Sequence, residues 1–446
     1  MSISIPNLAS EKRGNTVRHR KFSLSEGYWN RTRGLIPCGT QTLSKSPCQY
    51  VEGVAPKYLL KGKGCHVWDV DGNEYIDYGM GLHPIILGYT YPAVDEAIQR
   101  QLAHGITFTL NHPLEVEVAE VLRELIPCAE MVRFGKNGSD VTAAAIRLCR
   151  AYTGRDKVAC CGYHGWQDWY IGATEKNKGV PRAVRELTKT FEYNRIETLH
   201  RIFQENPGEI AAVIMEPVGA VPPENQFLHE VKELTHREGA IFILDEIITG
   251  FRFGLGGAQE FFGVIPDLAT FGKAMSNGMP LSALVGRAEI MREMEEVFFS
   301  FTFGGEALSL AASLATIKEM KEKPVFEHIW KQGKRLQEGY NQMAAGLSLT
   351  EYTRMKGYPP RPIASFFPTE GMDPLEMKSL VQQELLKRGI LWAAYHAISF
   401  SHSEEDIDRT LEAFSEAFKI LREAIQEKNI RKYLQGPPVK PVFRKI

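Results

Sequence analysis

Apolar residues fall into two textures along this chain. Through the middle they form short runs at 131–134, 157–161, 210–215, 240–244, 267–271 and 281–286, each bounded by glycine, proline or charged residues. Runs this short read as strands, and the uniformly apolar 210–215 and 240–244 as strands buried on both faces. Between them the spacing turns helical. Leu114, Val118, Val121, Leu122 and Leu125 follow Pro113; Val141, Ala144, Ala145 and Leu148 follow Ser139; Leu228, Val231 and Leu234 precede Gly239. Strand and helix alternating in this way predict an α/β fold, a mostly parallel sheet covered on both faces.

The flanks differ. Residues 1–50 are polar and turn-rich, which predicts an arm packed on something else. Two short strands, 66–68 and 74–76, flank Asp69-Val70-Asp71-Gly72-Asn73, a hairpin signal. Its acids lack calcium-loop spacing. Residues 166–208 are mixed and polar, and are expected to contain mobile loop. Beyond about 318 charged helices take over. One spans 373–388 and is closed by Gly389; another opens at Ser403-Glu404-Glu405-Asp406 and carries Ile407, Leu411, Phe414, Phe418, Leu421 and Ile425 on one stripe. The tail from about 428 reads as a basic solvated or subunit-packed extension. The expected organisation is an N-terminal arm and hairpin (1–75), a large domain (76–317) and a small C-terminal domain (318–446).

Composition narrows the class. At 446 residues the chain exceeds what one core usually supports. A net charge of −1, from 53 basic and 54 acidic residues, gives no field to attract nucleic acid or a membrane surface. The cysteines (Cys38, Cys48, Cys65, Cys128, Cys149, Cys160, Cys161) are odd in number, irregularly spaced and without a CxxC, which predicts reduced thiols and no metal site. No apolar run reaches membrane-span length, and the basic stretch at Lys12, Arg13, Arg18, Arg20 and Lys21 lacks a signal-peptide core. A cytoplasmic location is expected.

The candidate chemistry lies where runs end. Asp245 closes the run 240–244, and Lys273 follows 267–271. In a parallel sheet both reach the carboxyl edge, where such folds bind ligands. A lysine and a carboxylate converging there suggest pyridoxal 5′-phosphate. The lysine would hold the aldehyde as a Schiff base, and the aspartate would keep the ring nitrogen protonated. Gly135-Lys136-Asn137-Gly138-Ser139 leads from a strand into a helix, a place where backbone N–H groups and a hydroxyl can hold phosphate, although Ser139 serves equally as a plain cap. Tyr163, after 157–161, offers a ring to stack on a flat group. The glycines at 254, 256 and 257 fail the dinucleotide spacing because Gln259 takes the third position.

Taken together, 244–252, 271–273, Tyr163-His164-Gly165 and Asn137-Gly138-Ser139 resemble the class III pyridoxal-phosphate-dependent aminotransferases of fold type I. Within that family the chain is similar to the glutamate-1-semialdehyde 2,1-aminomutases over roughly 34–425. The resemblance implies a large domain with a mostly parallel seven-stranded sheet, and a smaller α+β domain. It also implies that Lys273 forms the Schiff base, Asp245 pairs with the ring nitrogen, and Ile247 and Tyr163 cover the two ring faces. Gly138 and Ser139 would hold the phosphate. Thr302 would reach the neighbouring subunit's cofactor, so a homodimer is implied.

The departures from the mutases cluster around substrate. Lys45 stands where they carry a carboxylate-binding arginine, and a lysine lacks bidentate geometry. The segment after Glu216-Pro217-Val218 lacks their asparagine, a tryptophan near Leu82 is missing, and the gating segment after Gly165 is shorter. Lys45 and Glu216 are the substrate-side candidates. The leading expectation is amino transfer between a small amine or amino acid and a separate oxo compound. The alternative is intramolecular transfer as in the mutases. A remote third is a regulator that binds cofactor without chemistry.

Overall fold

The computed structural model describes residues 20–369 and 371–440; Lys12, Arg13 and Arg18 lie outside the described residues. These residues divide into two compact units. One comprises 83–86 and 91–326, and the other comprises those up to Leu82, 87–90 and those from Glu327 onward.

The first unit is built on a seven-stranded sheet. Its strands in chain order are β1 (Met131–Gly135), β2 (Lys157–Cys161), β3 (Thr188–Thr190), β4 (Ile210–Met215), β5 (Ile241–Asp245), β6 (Leu268–Phe271) and β7 (Ser282–Gly286). They lie in the order β1-β7-β6-β5-β4-β2-β3. Only β7 runs against its neighbours, so the other strands end at one edge.

The uniform apolar runs are explained by what lies on each face. On one side Val158, Cys160, Ala212, Ile214, Ile241 and Ile243 pack with Val141, Ala145 and Leu148 of helix α1 (Gly138–Thr153). On the other, Ala159, Cys161, Val213, Met215, Phe242 and Leu244 meet the helices Ile196–Glu205 and Phe227–Arg237. Adjacent residues point to opposite faces, so the vicinal Cys160 and Cys161 enter two different cores. Burying such side chains stabilises the fold by about 1.5–3 kcal/mol each.

Part of 166–208 departs from the loop expectation. It contains the edge strand β3 and the helix Ile196–Glu205, whose Leu199, Ile202 and Phe203 are buried. The same unit contains the helices α2 (Gly257–Phe262) and α3 (Ala307–Glu322).

In the second unit the expected hairpin forms, His66–Asp69 against Glu74–Asp77. Ile390–Leu391 adds to it in parallel, so the segments 1–75 and 318–446 contribute strands to one sheet. The turn acids are all engaged. Asp69 accepts from Asp71 N–H and Asn73 N–H, while Asp71 accepts from Leu24 and Ser25 N–H at the start of the helix Ser23–Thr32. From residue 20 on, the arm therefore packs on its own hairpin. Helices α4 (Pro374–Lys387) and α5 (Glu404–Gln426) are capped by Asp373 and Ser403 as their sequences require. The tail is not a solvated extension as far as residue 440. Ile430 and Val439 are buried, and Val439 N–H donates to Ser379 Oγ on α4.

Candidate active site

Four strand ends converge at the carboxyl edge of the large sheet. β5 and β6 are in parallel register with Asp245 opposite Thr270, so the turn carrying Lys273 begins just beyond Asp245. Asp245 is buried and fixed on both oxygens. Oδ1 accepts from Ile247 N–H at 3.1 Å and Thr270 Oγ1 at 3.2 Å, and Oδ2 lies 2.7 Å from His164 Nδ1. The other ring nitrogen of His164 faces the Cys161 carbonyl at 3.2 Å, and the His164 carbonyl accepts from Thr142 Oγ1 of α1 at 2.7 Å. One histidine thus links β2, α1 and the end of β5. Its sequence position beside Tyr163 gave no sign of this.

Lys273 opens a 3-10 turn with φ of +43°, a left-handed conformation that a non-glycine residue adopts at a cost of about 1–2 kcal/mol. Strain of this kind persists where surrounding structure enforces it, often at functional sites. The preceding Gly272 lies against Ile247: a Cβ there would stand 3.2 Å from Ile247 Cδ1.

The start of α1 meets the same cluster. Asn137 and Asp140 form a reciprocal capping box, and Ser139 is buried. A Cβ on Gly138 would come within 3.1 Å of Ile247, and one on Gly165 within 2.5 Å of Ser139 Cβ. At Gly165, whose φ is +105°, only glycine permits the approach, and at Gly138 a side chain would have to push Ile247 aside. Gly138, Ser139, Asp245, Ile247 and the turn 163–165 are therefore neighbours, with Lys273 on the adjoining turn.

Tyr163 is 40% exposed, and its backbone N–H donates to Glu216 Oε2 at 2.9 Å. That contact gives Glu216 a role in holding the turn. Lys45 is exposed on the short turn Leu43–Lys45 of the other unit, and Thr302 is exposed in the segment before α3. The glycines at 256 and 257 also acquire a purpose. They open α2, whose Ala258 and Gln259 N–H groups donate to the buried Glu246 carboxylate at 2.6 and 2.8 Å. Burial pushes that carboxyl up, against these hydrogen bonds and one from Thr249, which favour its charged form.

Comparison with known proteins agrees with this geometry. The family model described as aminotransferase class-III matches residues 51–418. A 3-aminobutyryl-CoA aminotransferase from Cloacimonas acidaminovorans is 34% identical over 407 residues, covering 89% of this chain and 97% of the relative. A glutamate-1-semialdehyde 2,1-aminomutase from Acetivibrio thermocellus is 37% identical over 431 residues, covering 88% and 97%. Among solved structures, the FumI protein of Sphingopyxis sp. MTA144 in its PLP internal aldimine form superposes with a TM-score of 0.84 at 26% identity, covering 93% of this chain and 98% of that one. This chain belongs to the class III aminotransferases, enzymes of fold type I that transfer amino groups with pyridoxal phosphate.

Proposed function

We propose that this enzyme moves an amino group from a small amine or amino acid to a separate oxo compound, with Lys273 and Asp245 as its catalytic residues. The observation that carries the reading is Asp245: a buried carboxylate held on both oxygens, one strand away from a strained lysine turn. The cradle suits the cofactor: Ser139 and the first-turn N–H groups of α1 can hold a phosphate, and Gly138 and Gly165 let Ile247 and the 163–165 turn pack beside them. When bound, pyridoxal phosphate supplies an aldehyde for the amino group and a ring that draws electrons from the adjacent carbon.

The chain's residues divide the remaining work. Lys273 Nζ would hold the aldehyde and, as a free amine, would move the proton at the substrate carbon. Asp245 holds the proton on the ring nitrogen, and His164 and Thr270 keep its carboxylate in place. Ile247 and Tyr163 cover the two ring faces. Gly138 and Ser139 bind the phosphate at the N-terminus of α1, where backbone N–H groups and the helix dipole favour an anion. Thr302 completes the phosphate site of a second copy, in a homodimer. The exposed Phe298, Phe301 and Phe303 around it support that pairing. The unit formed by 83–86 and 91–326, close to the expected domain 76–317, holds all of these residues. Five buried cysteines among seven free ones support a reducing, cytoplasmic setting.

Intramolecular transfer is the second reading, and the 37% identity to an aminomutase favours it. Product release separates the two. The protein is given single amino donors and the medium is assayed for a free oxo compound while absorbance follows the cofactor. Release of one equivalent with conversion to the amine form supports the transferase. Isomerisation of glutamate-1-semialdehyde without release would replace it with the mutase.

A further inference from the structure

The segment 298–306 joins two places that the proposed function treats separately, the phosphate cradle of this chain and the threonine presented to its partner. It is fastened at both ends to the β1–turn–α1 unit. At its start, Arg133 Nη2 donates to the Phe299 carbonyl at 2.9 Å and Arg147 Nη1 to the Phe298 carbonyl at 2.7 Å. At its end, Lys136 Nζ donates to Glu306 Oε2 at 2.9 Å. Between these anchors Thr302 and its neighbours form an exposed bridge, with Phe303 57% exposed.

The two ends are not equal. The arginines are exposed and donate to backbone carbonyls, whereas the Lys136 and Glu306 side chains are 13% and 11% exposed. Glu306 also caps α3, accepting from Leu308 N–H and from the Ser309 N–H and hydroxyl. Lys136 is fixed in turn, because its N–H donates to Asp140 Oδ2 in the α1 capping box. Shielded from water, such a charge-assisted pair is stronger than a surface ion pair.

We propose that Lys136 and Glu306 are positioning residues that lock the Thr302 bridge to the phosphate cradle, so that each subunit orders the site it lends to its partner through the site it keeps. This rests on the phosphate roles given above to Ser139 and Thr302. Neither Lys136 nor Glu306 needs to touch the cofactor.

A double-mutant cycle on the full-length protein tests it, with the dissociation constant of pyridoxal phosphate read by absorbance and dimer mass by sedimentation. Lys136→Met is expected to weaken cofactor binding about tenfold, with the dimer and thermal midpoint retained and Lys136→Arg recovering most of the loss. Thr302→Ala is expected to weaken it similarly, and the double variant no further than either single. Additive losses, or unchanged binding in Lys136→Met beside weakened binding in Thr302→Ala, would overturn the coupling and leave the shared site standing. Unchanged binding in Thr302→Ala would remove the shared site and the coupling together. If Lys136→Met lowers the thermal midpoint, Glu306→Gln, which keeps an acceptor on the α3 cap, must still show the non-additive loss.

Discussion

At the scale of single residues the proposed mechanism depends on how firmly one carboxylate is held. Asp245 combines burial with hydrogen bonds to both oxygens, so its charge points in a fixed direction without reorganisation during the reaction. Asp245→Asn keeps the shape and loses the charge. The expected outcome is cofactor still bound, and amine-to-cofactor half-reactions slowed on the order of 10²-fold or more, measured by stopped-flow absorbance. Wild-type rates in that variant would mean that the ring proton is not required. His164→Asn leaves Asp245 Oδ2 without its 2.7 Å partner, and a buried acceptor so stranded costs about 1–3 kcal/mol. A roughly tenfold slower half-reaction with near-normal substrate affinity is expected; an unchanged rate would reduce His164 to packing.

At the scale of elements, the sequence announced the inner strands well and the edges poorly. β4 and β5 are buried on both faces, so every residue in them is apolar up to the functional Asp245. β3 is three residues long, with an exposed final threonine, and such an edge strand carries no periodic signal. The helix Ser23–Thr32 was hidden for a related reason: its polar surface hides a contact made at its start, where Asp71 receives two N–H groups. In the proposed site, Asp245, Lys273 and Gly138 are marked in the sequence by strand ends and glycines. His164, Thr270 and the Glu246 cap depend on pairings across the sheet that one-dimensional spacing does not encode. The Glu246 cap is open to test. Glu246→Ala strands the buried Ala258 and Gln259 N–H groups and is expected to destabilise the protein by about 2–4 kcal/mol in urea unfolding, with Glu246→Gln retaining part of that. A loss below about 0.5 kcal/mol for the alanine variant would contradict it.

At the scale of the whole molecule, two buried histidines make stability fall on the acid side. Burial lowers His396 to about 4 and His402 to about 3. His402 Nδ1 accepts the Ser399 N–H at 3.0 Å, which needs the neutral ring. Unfolded histidine titrates near 6.5. Below that pH the unfolded chain takes up protons that the folded chain refuses, so stability falls as pH drops from about 6.5 towards the folded values. The slope is up to about 1.4 kcal/mol per pH unit for each histidine. His66 acts in the opposite window. Burial opposes its charge, but hydrogen bonds with Cys65 and those it donates to the Asp406 and Glu74 carboxylates raise it to about 11, so its contribution is complete below about 6.5 and is lost as pH climbs towards 11. Urea unfolding between pH 4 and 7 should show the acid slope, and His402→Gln should flatten it. An equal slope in the variant would place the acid sensitivity elsewhere.

The most direct test of the central claim is chemical trapping at Lys273. Purified protein supplied with pyridoxal phosphate is reduced with borohydride, digested and mapped by mass. The expected result is one pyridoxyl group on the peptide bearing Lys273 and none on the Lys273→Ala protein, which should also lose nearly all turnover. A label on a different lysine, or a folded wild-type protein that takes no label, would contradict the assignment of Lys273 and with it the mechanism built on Asp245.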